Sequence, residues 1–253
     1  MSGPFACIGI DVEAAGGLED ALTPLMAAAG EHVYPGGGSL FEWRDPSGAG
    51  VIITTVTVDN VVRCVTPVFT AHTTIDAVAT GFAAGGHCSF CDPLLLDLVD
   101  TDGRPRHALA IRLEDSAMTR RRVVPGQPLT VAVAGFAEEL RVGPPVDGGA
   151  SDRRASVPIG LFRTPPLPQL LLTATVVATD ERSNEHTGLP FRWALVESLG
   201  QRYEIVARPT PLAVGDTIQG LFWLIGRVVG GLADRPLRGR ALRRSQASRA
   251  SGH

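Results

Sequence analysis

Apolar and polar positions alternate along most of this chain with a period of two, the spacing of strands that bury one face. One segment departs from it. Leu18, Leu22, Leu25 and Met26 recur at helical spacing and Gly30 stands where such a helix would close, which predicts one short N-terminal helix. After Tyr34-Pro-Gly-Gly-Gly-Ser39 the texture is that of short β segments. Strands are expected over Ser39 to Arg44, Val51 to Val58 and Val61 to Phe69, separated by the turn signals Asp45-Pro-Ser-Gly48 and Asp59-Asn60. Leu94 to Val99 and His107 to Leu113 flank Asp102-Gly103, a pair that tolerates the positive φ of a tight hairpin. Leu129 to Val142 follows the turn Pro125-Gly126.

The pattern dissolves over 143–167, where Gly143-Pro-Pro-Val-Asp-Gly-Gly-Ala-Ser-Asp-Arg-Arg154 predicts a linker between a β-rich module, 1–142, and a second module, 168–232. In the second module Leu170 to Thr179 is a β-branched strand, and Phe191 to Glu197 and Tyr203 to Ala207 form a hairpin about Leu199-Gly200. Leu212-Ala-Val-Gly-Asp216 leads into a long last strand, Thr217 to Val229. A glycine that lets the chain bend before a closing strand fits a small barrel. The expected fold is therefore mostly β: two β-barrel-like modules, the second OB-fold or SH3-like, with one short helix and a disordered basic tail over 233–253. Arg208 to Asp216 is too short for the helix an OB barrel carries before its fourth strand, so the SH3-like form stays open. A faint repeat relates the modules. Arg106-His-Ala-Leu-Ala110 echoes Arg192-Trp-Ala-Leu-Val196, and Pro125-Gly-Gln with Val131, Gly135, Phe136 and Leu140 echoes Val214-Gly-Asp with Ile218, Gly220, Phe222 and Leu224.

Composition narrows the chemistry. All 23 basic residues are arginine, so a Walker A phosphate loop, a Schiff-base lysine and the strand lysine of a protein kinase are excluded. Residues 1–160 carry 11 arginines against 19 acids, 161–232 carry 6 of each, and 233–253 carry 6 arginines against Asp234 alone. An acidic body thus precedes a neutral module and a basic tail suited to an anionic partner. The opening Met1-Ser-Gly-Pro-Phe5 lacks the basic and apolar regions of a signal peptide, and no apolar run approaches the roughly 20 residues of a membrane span. With only four cysteines, a cytoplasmic location is expected.

The sharpest local motif is His87-Cys88-Ser-Phe-Cys91. Two thiolates at this spacing can meet one zinc ion or form a redox disulfide, but no second such pair exists, and Cys7 and Cys64 are remote in sequence. Asp100-Thr-Asp-Gly103 begins like a calcium loop yet lacks the downstream glutamate, because the twelfth position is Ile111. Glu138 and Glu139 are neighbours on a strand and so face apart, which is no catalytic dyad. No nucleophile–base pair and no cofactor motif is present. The aromatics of the second module give Trp193, Tyr203 and Trp223 as candidate stacking positions, with Arg192, Arg202, Arg240, Arg243 and Arg244 as candidate phosphate or ligand contacts. Phe222 and Trp223 must face opposite ways, so part of this set fills the core. The leading expectation is a non-enzymatic binding or scaffold protein that acts on a protein partner or a small ligand. The alternatives are single-stranded nucleic-acid binding by the OB-like module and the arginine tail, and a zinc or redox protein built on His87, Cys88 and Cys91.

Overall fold

The computed structural model describes residues 3–34, 37–56, 61–83, 90–100, 102–143 and 154–232. A 3-10 turn, Pro4–Ile8, precedes helix α1 (Leu18–Ala28), which buries Leu22 and Leu25 but leaves Leu18 exposed. Strands β1 (Gly30–Val33), β2 (Ser39–Arg44), β3 (Ala49–Val56) and β4 (Val61–Phe69) pair antiparallel in that order as a four-stranded sheet. β3 is covered on both faces and is buried almost throughout, in keeping with its β-branched run.

A second sheet holds the other nine strands: β5 (Thr74–Phe82), β6 (Leu94–Val99), β7 (Pro105–Leu113), β8 (Pro128–Gly143), β9 (Ala155–Val157), β10 (Gln169–Ser183), β11 (Pro190–Ser198), β12 (Gln201–Ala207) and β13 (Thr217–Gly230). Their order is β11-β12-β8-β5-β6-β7-β13-β10-β9, with further pairings of β10 to β11 and β8 to β13. Helix α2 (Ser116–Thr119) and a 3-10 turn, Arg120–Arg122, lie between β7 and β8. The long strands β8 and β13 run antiparallel from Thr217 opposite Gly143 to Gly230 opposite Thr130. β12 adds in parallel to β8, and β7 adds in parallel to β13.

Period-two alternation gives these two long strands a role in two cores. Leu129, Val131 and Val133 of β8 and Ile218, Phe222, Leu224 and Val228 of β13 join a core made of residues of the nine-stranded sheet. Ala134, Phe136 and Ile225 face the other way and join a second core, with the four-stranded sheet, α1 and the Pro4–Ile8 turn. Phe222 therefore fills the first core, while Trp223 packs against the second. Burying a side chain of Phe size stabilises by about 1.5–3 kcal/mol, so a strand that feeds both cores couples them.

Three strands form that alternation did not predict. β1 is exposed at every position, β9 is only three residues long, and β5 carries alanines on the buried face where larger residues would signal a strand. Hairpin chemistry is as expected: Leu199 and Gly200 take φ of 52° and 74° between β11 and β12. The Asp100 carboxylate accepts hydrogen bonds from the Asp102 and Arg104 amides and so caps its own turn. Among the described residues, no helix is long and apolar enough to cross a membrane. The tail over 233–253, with Arg240, Arg243 and Arg244, lies outside the described residues, as do 144–153 of the linker and His87 and Cys88.

Candidate functional site

The aromatic candidates are engaged inside the protein. Trp193 donates its Nε1–H to Glu204 Oε2 at 2.8 Å, and the Arg182 guanidinium carbon lies 4.7 Å from its ring centroid. Glu204 is itself buried and accepts the His72 and Thr73 amides on its other oxygen, at 2.5 and 2.6 Å. Tyr203 is buried with its hydroxyl 3.5 Å from Ser156 Oγ, and Trp223 is half-buried. Arg192 pairs with Glu181 at 2.8 Å and donates to the Thr210 carbonyl, whereas Arg202 lies exposed beside Glu197 at 3.1 Å.

Sequence reasoning missed a charged cavity at the junction of the two sheets. Its volume is about 360 Å³, and its lining includes Glu42 and Arg44 of β2, Phe69 of β4, Glu114 just after β7, and Arg227 and Val229 of β13. Arg44 Nε donates to Glu42 Oε1 at 2.9 Å and Arg44 Nη2 to Glu114 Oε2 at 2.5 Å. Arg227 Nη2 donates to Glu42 Oε1 at 2.7 Å, while its Nε stands 3.3 Å from Glu114 Oε2 without hydrogen-bond alignment. Burial raises the Glu42 pKa, but the Arg44 and Arg227 guanidiniums overcome it and hold the carboxyl below its ordinary value. Glu114 sits deeper, and there burial pushes the pKa up against the pull of the same two arginines. Glu114 lies innermost at 5% exposure, Glu42 and Arg44 are alike at 20% and 25%, and Arg227 is outermost at 39%. No sequence signal marks this site, since its residues come from five separate segments.

Among the described residues Cys91 meets a cysteine remote in sequence, while Cys88 lies outside them. Cys64 of β4, remote from Cys91 in sequence, lies with its Sγ 3.4 Å from Cys91 Sγ, and Cys91 donates. Arg112 of β7 donates to both sulfurs through Nη2, at 2.6 Å to Cys64 and 3.4 Å to Cys91. The Cys91 hydrogen bond, opposed by burial and aided by Arg112, brings the Cys64 pKa down from 9.0 to about 5. Cys7 is the contrast: it is buried, donates to the Ala137 carbonyl at 3.3 Å, and desolvation pushes its thiol up to about 11. Among the described residues, no group of three or more His, Cys, Asp or Glu side chains is arranged to hold a metal ion.

No protein-family model matches the chain, and neither the curated proteins nor the solved structures contain a match to it.

Proposed function

We propose that this chain is a ligand-binding protein, and that its junction cavity receives a small molecule bearing a carboxylate or phosphate. The observation that carries this reading is the layering of charge. Glu114 lies deep, Glu42 is already paired beside it, and Arg227 stands nearest solvent. A guanidinium offers five N–H donors in a planar fork, and the internal contacts of Arg44 and Arg227 leave some of them unused. Spare cationic donors against the apolar wall of Phe69 and Val229 favour an acidic ligand with a small apolar body. The cavity volume lies within the usual range for small-molecule sites, about 300–1,000 Å³.

The scaffold reading is of two interlocked OB-like barrels. Its support is the pairing pattern. From β10 through β11, β12, β8 and β13 the hydrogen-bonded neighbours lead back to β10. From β5 through β6, β7, β13 and β8 they lead back to β5. Each circuit begins with a three-strand meander whose third strand pairs in parallel with a strand lent by the other, a Greek-key closure of the OB type. On this reading β8 and β13 are equivalent fourth strands, which fits the echo between their sequences. α2, between β7 and β8, then occupies the place before the fourth strand that the β10-β11-β12 circuit leaves without a helix.

Titration of the purified chain with a panel of small mono- and dicarboxylates and inorganic phosphate, followed by amide chemical shifts, tests the ligand reading. Saturable shifts confined to β2, Thr70–Ala71 and β13 are expected, weakened at least about tenfold by Arg227→Gln, the loss of one charge-assisted contact. If no member of the panel shifts those amides, or if Arg227→Gln binds as well as the parent, the cavity reading is wrong. Salt-sensitive binding of single-stranded nucleic acid without cavity shifts would favour the nucleic-acid alternative instead.

A further inference from the structure

We propose that Cys64 and Cys91 are a peroxide-reactive dithiol that closes reversibly into a disulfide between the two sheets. Two observations of geometry carry this, independently of the cavity. First, the sulfurs are already in contact at 3.4 Å, and they come from different sheets: Cys64 from β4 and Cys91 from the segment entering β6. Second, Arg112 has no carboxylate partner among the described residues. Its hydrogen bonds go to the two sulfurs, and its Nε is buried with no acceptor. A half-buried guanidinium with no carboxylate beside it favours an anion at the atom it meets, and here that anion is the Cys64 thiolate. The lowered Cys64 value agrees with that assignment, and Cys7, where burial outweighs the pull of Arg208, shows the opposite behaviour in the same protein. Thiolate character rather than thiol content decides which cysteine oxidises.

The chemistry is a two-electron oxidation with a small hydroperoxide as oxidant. Cys64 Sγ attacks one peroxide oxygen, the O–O bond breaks, and the departing oxygen leaves as water or alcohol after taking a proton. This leaves a sulfenic acid on Cys64. Cys91 Sγ then attacks Cys64 Sγ, the S–O bond breaks, and hydroxide departs with the Cys91 proton as water while the S–S bond forms. A small dithiol reverses the closure by two exchange steps and leaves as its own disulfide. Cys64 is 8% exposed, which admits a peroxide and disfavours a bulky partner. Closure removes the thiolate from Arg112, so the oxidised form holds a cation without its anion and a covalent tie from β4 to the start of β6.

The test treats the reduced, full-length chain with hydrogen peroxide at neutral pH, blocks remaining thiols, and maps peptides by mass. The expected product is a Cys64–Cys91 linked peptide lighter by two hydrogens, restored by dithiothreitol, with Cys7 still free. Cys91→Ser should stop at a Cys64 sulfenic acid that a cyclic 1,3-dione traps, and Arg112→Gln should slow Cys64 oxidation roughly tenfold at mildly acidic pH but not at alkaline pH. Circular dichroism of each variant separates loss of reactivity from loss of fold. A Cys88–Cys91 link in place of the Cys64 link would overturn the assignment. So would two unchanged thiols after peroxide, or a metal ion held by these sulfurs in the reduced protein.

Discussion

Arg227 and Arg112 occupy comparable positions, each reaching from the nine-stranded sheet to a partner on the four-stranded one, yet they are neutralised in different ways. Arg227 of β13 meets Glu42 of β2, with Glu114 close by. Arg112 of β7 meets Cys64 of β4, and β7 lies beside β13 with Arg112 opposite Ile225. A carboxylate is not oxidised by peroxide, whereas a thiolate persists only while it stays deprotonated and reduced. The first junction is therefore a charge lattice indifferent to oxidant. The second depends on pH and oxidant, so the molecule joins the same two sheets once independently of oxidant and once conditionally.

The sharpest way to break the comparison is to remove the anion at each junction. Glu114→Ala leaves Arg44 and Arg227 sharing Glu42 alone. Removing one partner of a fully buried pair costs about 3–5 kcal/mol, and the partial exposure of both arginines reduces this to about 2–3 kcal/mol. Urea unfolding should show that loss at neutral pH. A loss below about 0.5 kcal/mol would mean that the lattice does not hold the sheets together.

The thiolate junction should weaken as pH falls, whereas the raised pKa of Glu114 acts with the opposite sign. The folded-state pKa of Cys64 lies below its unfolded value, so its contribution is fully present above about pH 9 and is lost as pH falls toward 5, because the unfolded chain binds the proton first. Stability of the reduced protein should therefore decline across that window, and Cys64→Ser should flatten the decline. An unchanged slope in the variant would show that the thiol is protonated in the folded protein. Removing the cation instead has a smaller effect. In Arg112→Met, Cys64 can take a proton and become neutral, so the stability loss should be about 1 kcal/mol, while the ultraviolet thiolate absorbance titrates at higher pH than in the parent. No corresponding escape exists for Glu42 at neutral pH when Arg227 is removed, since its ordinary value lies well below that pH.

Much of the strand pattern was legible in the sequence, and the sites were not. β2 and β4 fall at their expected bounds because β-branched and aromatic residues fill them between clear turn signals. β5 escaped notice because Ala77 and Ala79 supply its buried face, and alanine is no strand signal. Phe222 and Trp223 could be assigned to opposite faces by parity alone, but which face met which core depended on the partner strand. The cysteine motif drew attention to Cys88 because it is close in sequence. Cys64 reaches Cys91 only through the packing of one sheet on the other, and no local spacing encodes that contact. Glu42, Arg44, Glu114 and Arg227 are likewise unremarkable until β2, β7 and β13 converge.

The smallest expected effect supplies the control that gives the others meaning. Arg202 and Glu197 face each other across β11 and β12, with a 3.1 Å contact, and Arg202 is 57% exposed. Solvent screens such a pair and ordering two long side chains offsets its attraction, so Arg202→Gln should change stability by no more than about 0.5 kcal/mol. It should leave carboxylate binding, the pH slope and the rate of Cys64 oxidation unchanged. Thermal melts of parent and variant, with the peroxide assay run alongside, measure all of these except binding. If Arg202→Gln slowed the oxidation of Cys64 as much as Arg112→Gln does, the effect would belong to the overall charge of the molecule, and the contact between Arg112 and the two sulfurs would lose its claim to be the cause.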